Sequence, residues 1–140
     1  MESPSSSSQV KLLLDIFEQD RKHVMIFVSL CFAIPAFTLS HLSIRETPLW
    51  GRVMLVTSLA LFVSAGLFFF RYVQRQNWKR LEGVPFILSG AVEELREVLM
   101  GPTCGLWARY GWLYKSGSFL LKTASLFYLL FLFCEIFPRA

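Results

Sequence analysis

VMIFVSLCFAIPAFTLSHLSI (residues 24–44) and VMLVTSLALFVSAGLFFF (residues 53–70) contain no Lys, Arg, Asp or Glu. An uncharged run of about 18 residues or more, rising about 1.5 Å per residue as a helix, crosses the hydrocarbon core of a bilayer. Only the eight residues 45–52 separate the two runs, so a tight antiparallel hairpin is expected. The fold class that follows is an all-α integral membrane protein. It has an N-terminal transmembrane hairpin, a third transmembrane helix, and an amphipathic, interfacial cytoplasmic segment.

Outward from the hairpin, composition agrees. The chain has 140 residues, room for a single membrane domain over 9–140, and 54% of them are hydrophobic, 14 being Phe. Its formal charge of +4 would suggest nucleic acid in a soluble protein. Here the bases flank apolar runs, which points to topology and anionic headgroups instead, and no nucleic-acid partner is expected. Cys31, Cys104 and Cys134 have no paired spacing, which argues against a disulfide framework. His23 and His41 sit at opposite ends of the first run, so neither a metal nor another cofactor is expected. The long, acidic N-terminal flank is unlike a cleavable signal peptide, and the first run reads as an uncleaved signal anchor.

Residues 1–8, MESPSSSS, are dominated by serine and are expected to be disordered. Residues 9–22 form an amphipathic lead-in with Val10, Leu13, Leu14 and Phe17 on one face and Ser8 as its N-cap. It either lies in the interface or extends the first span as one long helix. Beyond the second run, residues 71–117 read as the cytoplasmic, interfacial segment. Arg71, Arg75, Lys79 and Arg80 open it, Gly83 and Pro85 break the helix, and residues 91–100 form a short amphipathic helix stopped by Gly101-Pro102. CGLWARYGWLY (residues 104–114) is expected to lie along the membrane surface, because Trp and Tyr favour headgroup depth. The third apolar run, residues 119–137, carries Lys122 and Glu135 near its ends; a third crossing is expected, with a re-entrant helix as the alternative.

Counting Lys and Arg on each side sets the orientation. An inside N-terminus leaves eleven bases inside and three outside, so a cytoplasmic N-terminus and an external C-terminus are expected if the third run crosses.

Small residues come next. Ser29, Ala33, Ala36 and Ser40 share one helical stripe, and Thr57, Ala60 and Ser64 share another. Helices in lipid approach closely through small side chains, so each stripe is expected to face the other or a second copy. Pro35 predicts a kink in the first span. His41, Arg45, Glu46, Arg52 and Glu135 would gather at the external end, with Glu135 pairing His41 or Arg45. The basic cluster Arg71, Arg75, Lys79 and Arg80 reads first as a topology signal and second as a headgroup site.

No GxSxG, HExxH, GxxxxGK[ST] or GxGxxG pattern occurs. An enzyme would have to rest on Cys104, His23 or Glu135, which nothing in the sequence brings together. The expected role is therefore a non-enzymatic accessory or assembly subunit beside a larger membrane protein. The alternative is a self-oligomerising pore former, its pathway lined by Ser29, Ser40, Thr57 and Ser64. Hydroxyls alone make a poor ion-selective lining. The lipid bilayer is a partner on either reading.

Overall fold

Five helices make up the computed structural model, which describes residues 5–41 and 48–136. They are α1 (Ser6–His41), α2 (Leu49–Glu82), α3 (Val84–Ser89), α4 (Val92–Met100) and α5 (Leu106–Ile136). Arg45 and Glu46 of the expected turn, residues 1–4 and residues 137–140 lie outside the described residues.

The protein is an all-α membrane protein. Three of its helices are long and apolar enough to cross a bilayer, the third included. At about 1.5 Å per residue, the 34 residues of α2 extend about 51 Å, well beyond a hydrocarbon core of about 30 Å. The surplus lies beyond Phe70, where charged residues begin. This part, with the first half of α1, α3, α4 and the start of α5, forms a helical head.

One repeat organises both parts. Along α2, Gly51, Leu55, Ser58, Phe62, Ala65, Phe69, Tyr72, Gln76 and Lys79 are all buried, in alternating steps of four and three. That is a heptad seam, the pattern that keeps one face of a helix turned to its neighbour over many turns. α1 follows the same spacing at Val10, Leu13, Phe17, Val24, Val28, Cys31, Pro35 and Thr38. On α5 the buried positions Leu106, Leu113, Gly117, Ala124 and Phe131 fit it too. α2 lies between α1 and α5 and packs against both. Its second buried row, Leu59, Gly66 and Val73, completes the cover.

Small residues set the closest approaches. A Cβ at Gly66 would lie 3.1 Å from the Cβ of Cys31 and 2.9 Å from the Phe32 ring. One at Gly117 would lie 3.2 Å from the Phe69 ring. Hydrogen bonds cross the membrane part: Ser58 Oγ donates to the Ala124 carbonyl at 2.9 Å, and Thr38 and Tyr128 share one at 2.9 Å. α1 runs on through Pro35, which is buried in the seam and, lacking an N–H, offers the Cys31 carbonyl no helical donor.

Two expectations need correction. The helix does not start after Ser8: the Ser5 carbonyl already accepts from the amides of Ser8 and Gln9, and Ser6–Ser8 are helical. Ser8 Oγ bonds back to the Ser5 carbonyl at 2.8 Å instead of capping, as serines near a helix end readily do. The lead-in 9–22 follows the second of its two expected forms: it continues into the first span as one helix, the first half of α1. The aromatic stretch from Leu106 onward is not a surface loop either, because it is the first turns of α5. Its inward positions Leu106 and Leu113 carry the α5 seam into the head, and tertiary burial overrides the breaking tendency of Gly111.

α4 occupies Val92–Met100 with Leu95 and Leu99 fully buried, as the spacing predicts, and Glu93 and Glu94 in its first turn. These two leucines close the head core against Val10, Leu13 and Phe17 of α1 and Leu106 of α5. Gly90, at φ 73°, ends α3 in the left-handed conformation that glycine adopts without steric cost.

Candidate functional site

The two small-residue stripes do not meet. Ser29, Ala33, Ala36 and Ser40 are all exposed on α1, and Ala60 is exposed on α2, with Thr57 and Ser64 only partly covered. The hairpin closes instead on Cys31 and Phe32 against Gly66. The physical reason is the seam: Val24, Val28, Cys31, Pro35 and Thr38 keep heptad register with the head, and the 29–40 stripe falls on the opposite side. The hydroxyls of Ser29, Ser40 and Ser64 donate to the carbonyls of Met25, Ala36 and Ala60 on their own helices.

At the end of the bundle far from the head, His41 and Glu135 form no ion pair with each other among the described residues. His41 Nδ1 lies 3.1 Å from the Phe37 carbonyl, and its ring stacks on Phe37. Glu135 sits elsewhere, against the first turn of α2: a Cβ at Gly51 would be 3.7 Å from its Oε1. The free amides and positive dipole of a helix N-terminus favour a carboxylate at that place. Arg45, the other expected partner, lies outside the described residues. Lys122 is exposed on α5, consistent with a snorkelling ammonium.

The basic cluster splits into two pairs. Lys79 is only 3% exposed and donates to Glu82 at 2.8 Å, while Arg80 reaches Glu18 at 3.3 Å. Glu18 also takes two bonds from Arg21, at 2.6 and 3.1 Å, which with Arg80 hold its carboxyl below the usual range. Arg80 thereby ties α2 to α1, whereas the Lys79–Glu82 pair lies within α2. Arg71 and Arg75 do not: both are exposed, and among the described residues neither meets a carboxylate. The Arg75 guanidinium instead lies 5.1 Å from the centre of the Tyr110 ring.

Two concavities flank α2 at this level. On one side, Arg71, Arg75 and Trp78 of α2 face Tyr110 and Trp112 of α5 across a groove of about 550 Å³. On the other, Phe17 and Asp20 of α1, Tyr72 of α2, and Leu99, Trp107 and Tyr114 border a cavity of about 400 Å³. The spanning part of α1 begins at Val24, so Asp20 stands outside it. Burial raises the Asp20 carboxyl above its ordinary range, against the opposing influence of His23 and of the Gln76 amide, which donates to it at 2.8 Å. Gln76 is fully buried, and its Oε1 has no partner among the described residues.

Cys104 is exposed before α5, His23 is exposed on α1, and Glu135 lies at the opposite end of α5 from Cys104, so these three are not brought together. Sequence reading missed the groove because its walls come from residues 71–78 and 110–112, distant in the chain and joined only by the α2–α5 packing. The heptad spacing common to α1 and α2 was the sign that would have revealed the true packing face. The chain matches no family model, and neither a curated protein nor a solved structure matches it.

Proposed function

We propose that this chain is a non-enzymatic accessory subunit that packs beside a larger membrane protein, with its head and N-terminus on the cytoplasmic side. The observation carrying this reading is the outward position of Ser29, Ala33, Ala36 and Ser40. Small side chains facing only lipid contribute little, whereas they let another helix come close and gain van der Waals contact along their length. The orientation rests on the excess of Lys and Arg at the head end, eleven against three.

The pore reading is less well supported. Ser29, Ser40 and Ser64 spend their hydroxyl protons on their own helices, so an assembled pathway would present few donors to an ion.

Photo-crosslinking tests the proposal. A photoreactive phenylalanine replacing exposed Phe37, beside the stripe, is expected to give one discrete adduct whose mass is not a multiple of the chain's own. Ala33→Leu should abolish that adduct while leaving the protein in the membrane. Adducts at whole multiples of the chain mass would transfer the stripe to self-assembly, and an adduct indifferent to Ala33→Leu would overturn the interface.

A further inference from the structure

The depth of the α2–α5 groove is its most informative property. The uncharged run of α2 ends at Phe70, and Arg71 and Arg75 follow within about 8 Å along the helix axis at about 1.5 Å per residue. The headgroup layer on each side of a bilayer is about 5–8 Å thick, so the two guanidiniums occupy that layer. Trp112 marks the same level from α5, its ring edge-on to Phe68 with 6.3 Å between centroids. Among the described residues these two cations have no carboxylate partner, in contrast to Lys79 and Arg80 one or two turns further out.

Below the guanidiniums the surface changes character without interruption. Arg71 also borders a shallow apolar recess formed with Ser64, Leu67 and Phe68, of about 250 Å³. Phe68 in turn borders a further recess with Phe119 and Leu120 of α5, at whose upper edge stands Lys115. A cationic, aromatic-walled upper part thus leads to apolar walls at acyl-chain depth.

We propose that the groove between α2 and α5 binds an anionic phospholipid, its phosphate held by Arg71 and Arg75 and an acyl chain laid along Leu67 and Phe68. Guanidinium groups suit a phosphodiester because their donors form a planar fork matched to its oxygens. Tyr110 stacks under Arg75 and limits the freedom of that side chain, so less entropy is lost on binding. A soluble phosphoester would use the upper part alone and leave the apolar recess empty. The proposal concerns a different face from the α1 stripe and stands whether or not a protein partner is found there.

Native mass spectrometry of the full chain, released from detergent into which lipid has been titrated, tests this directly. Dioleoyl phosphatidylglycerol is expected to be retained over dioleoyl phosphatidylcholine by about 30-fold, roughly a fivefold factor for each guanidinium. R71Q/R75Q should remove that preference, and R71K/R75K should recover part of it. R80Q/R96Q removes the same charge from bases that already have carboxylate partners, and should leave the preference intact. Equal retention of the two lipids by the unaltered chain would overturn the proposal. So would an equal loss in R80Q/R96Q, which would mean diffuse attraction without a site. Displacement of the retained lipid by millimolar glycerol 3-phosphate would assign the guanidiniums to a soluble phosphoester and overturn the lipid assignment.

Discussion

On the two sides of Phe70 the same heptad seam is filled with different chemistry. Within the membrane part its α2 positions are Gly51, Leu55, Ser58, Phe62, Ala65 and Phe69; in the head they become Tyr72, Gln76 and Lys79. The membrane part has only two flanking helices to cover α2, and its helices keep most of their surface outward. The head adds α4 and buries Leu95 and Leu99 completely. The difference reflects solvent. In water, every apolar side chain turned inward gains about 25 cal/mol per Å², so the head gathers a fourth element to cover its core. In lipid that gain vanishes, and shape decides which residues touch.

If this contrast is right, the largest effect comes from charging the head core. Leu95→Asp places a carboxylate where the side chain has no exposure, and is expected to cost the head about 4 kcal/mol or unfold it. Trypsin cleavage after Lys11 and Arg21 in proteoliposomes should rise sharply while the spans resist carbonate extraction. Extraction of the whole chain would mean that the two parts fold as one unit and would erase the contrast.

A smaller loss is expected from shape alone in the membrane part. Gly66→Leu must push against the Cβ of Cys31 and the Phe32 ring, costing about 2 kcal/mol by overpacking. Ala33→Leu, equally apolar but outward, should leave the unfolding of the isolated chain in detergent unchanged. Equal losses from the two would place the helix contact on the wrong face. Ser58→Ala removes a single interhelical hydrogen bond, and membrane-protein averages put its value at about 0.6 kcal/mol. The shift should be detectable by steric trapping.

The smallest effect sharpens the picture of the head. Glu18 and Asp20 lie two residues apart and respond to pH in opposite senses. For Glu18 the folded value is below the ordinary 4.5, so its contribution is present above that pH and lost as pH falls through the folded value. For Asp20 the folded value is above the ordinary 3.8, so the folded head binds more protons there and loses stability as pH rises through the folded value. Asp20→Asn should therefore remove a decline as pH rises above the ordinary 3.8, and Glu18→Gln a decline as pH falls below the ordinary 4.5. Two parallel profiles would refute the distinction.

Much of this architecture was legible residue by residue. Charge-free runs revealed the first two spans, and Gly101-Pro102 with Leu95 and Leu99 revealed α4. The register of the hairpin was not, because Ala33 and Cys31 are equally acceptable to lipid and only Gly66 discriminates between them. The α5 boundary was hidden by Gly105, Gly111 and four aromatic residues whose composition matches a surface loop; the partner that orders them, Tyr72 with Phe69, lies about forty residues earlier. The split of the basic cluster was equally invisible, since Glu18, which engages Arg80, belongs to another helix.

The unbroken seam also gives the molecule a mechanical character. α2 passes from head to membrane with no interruption at Phe70, and the aromatic contacts of Phe69 with Phe27 and Tyr114 tie all three shafts together at that level. Such a bundle has no joint at the water boundary. A torque applied to the head would be carried as rotation of the whole shaft rather than absorbed by bending, and would arrive about 30 Å away at the opposite face.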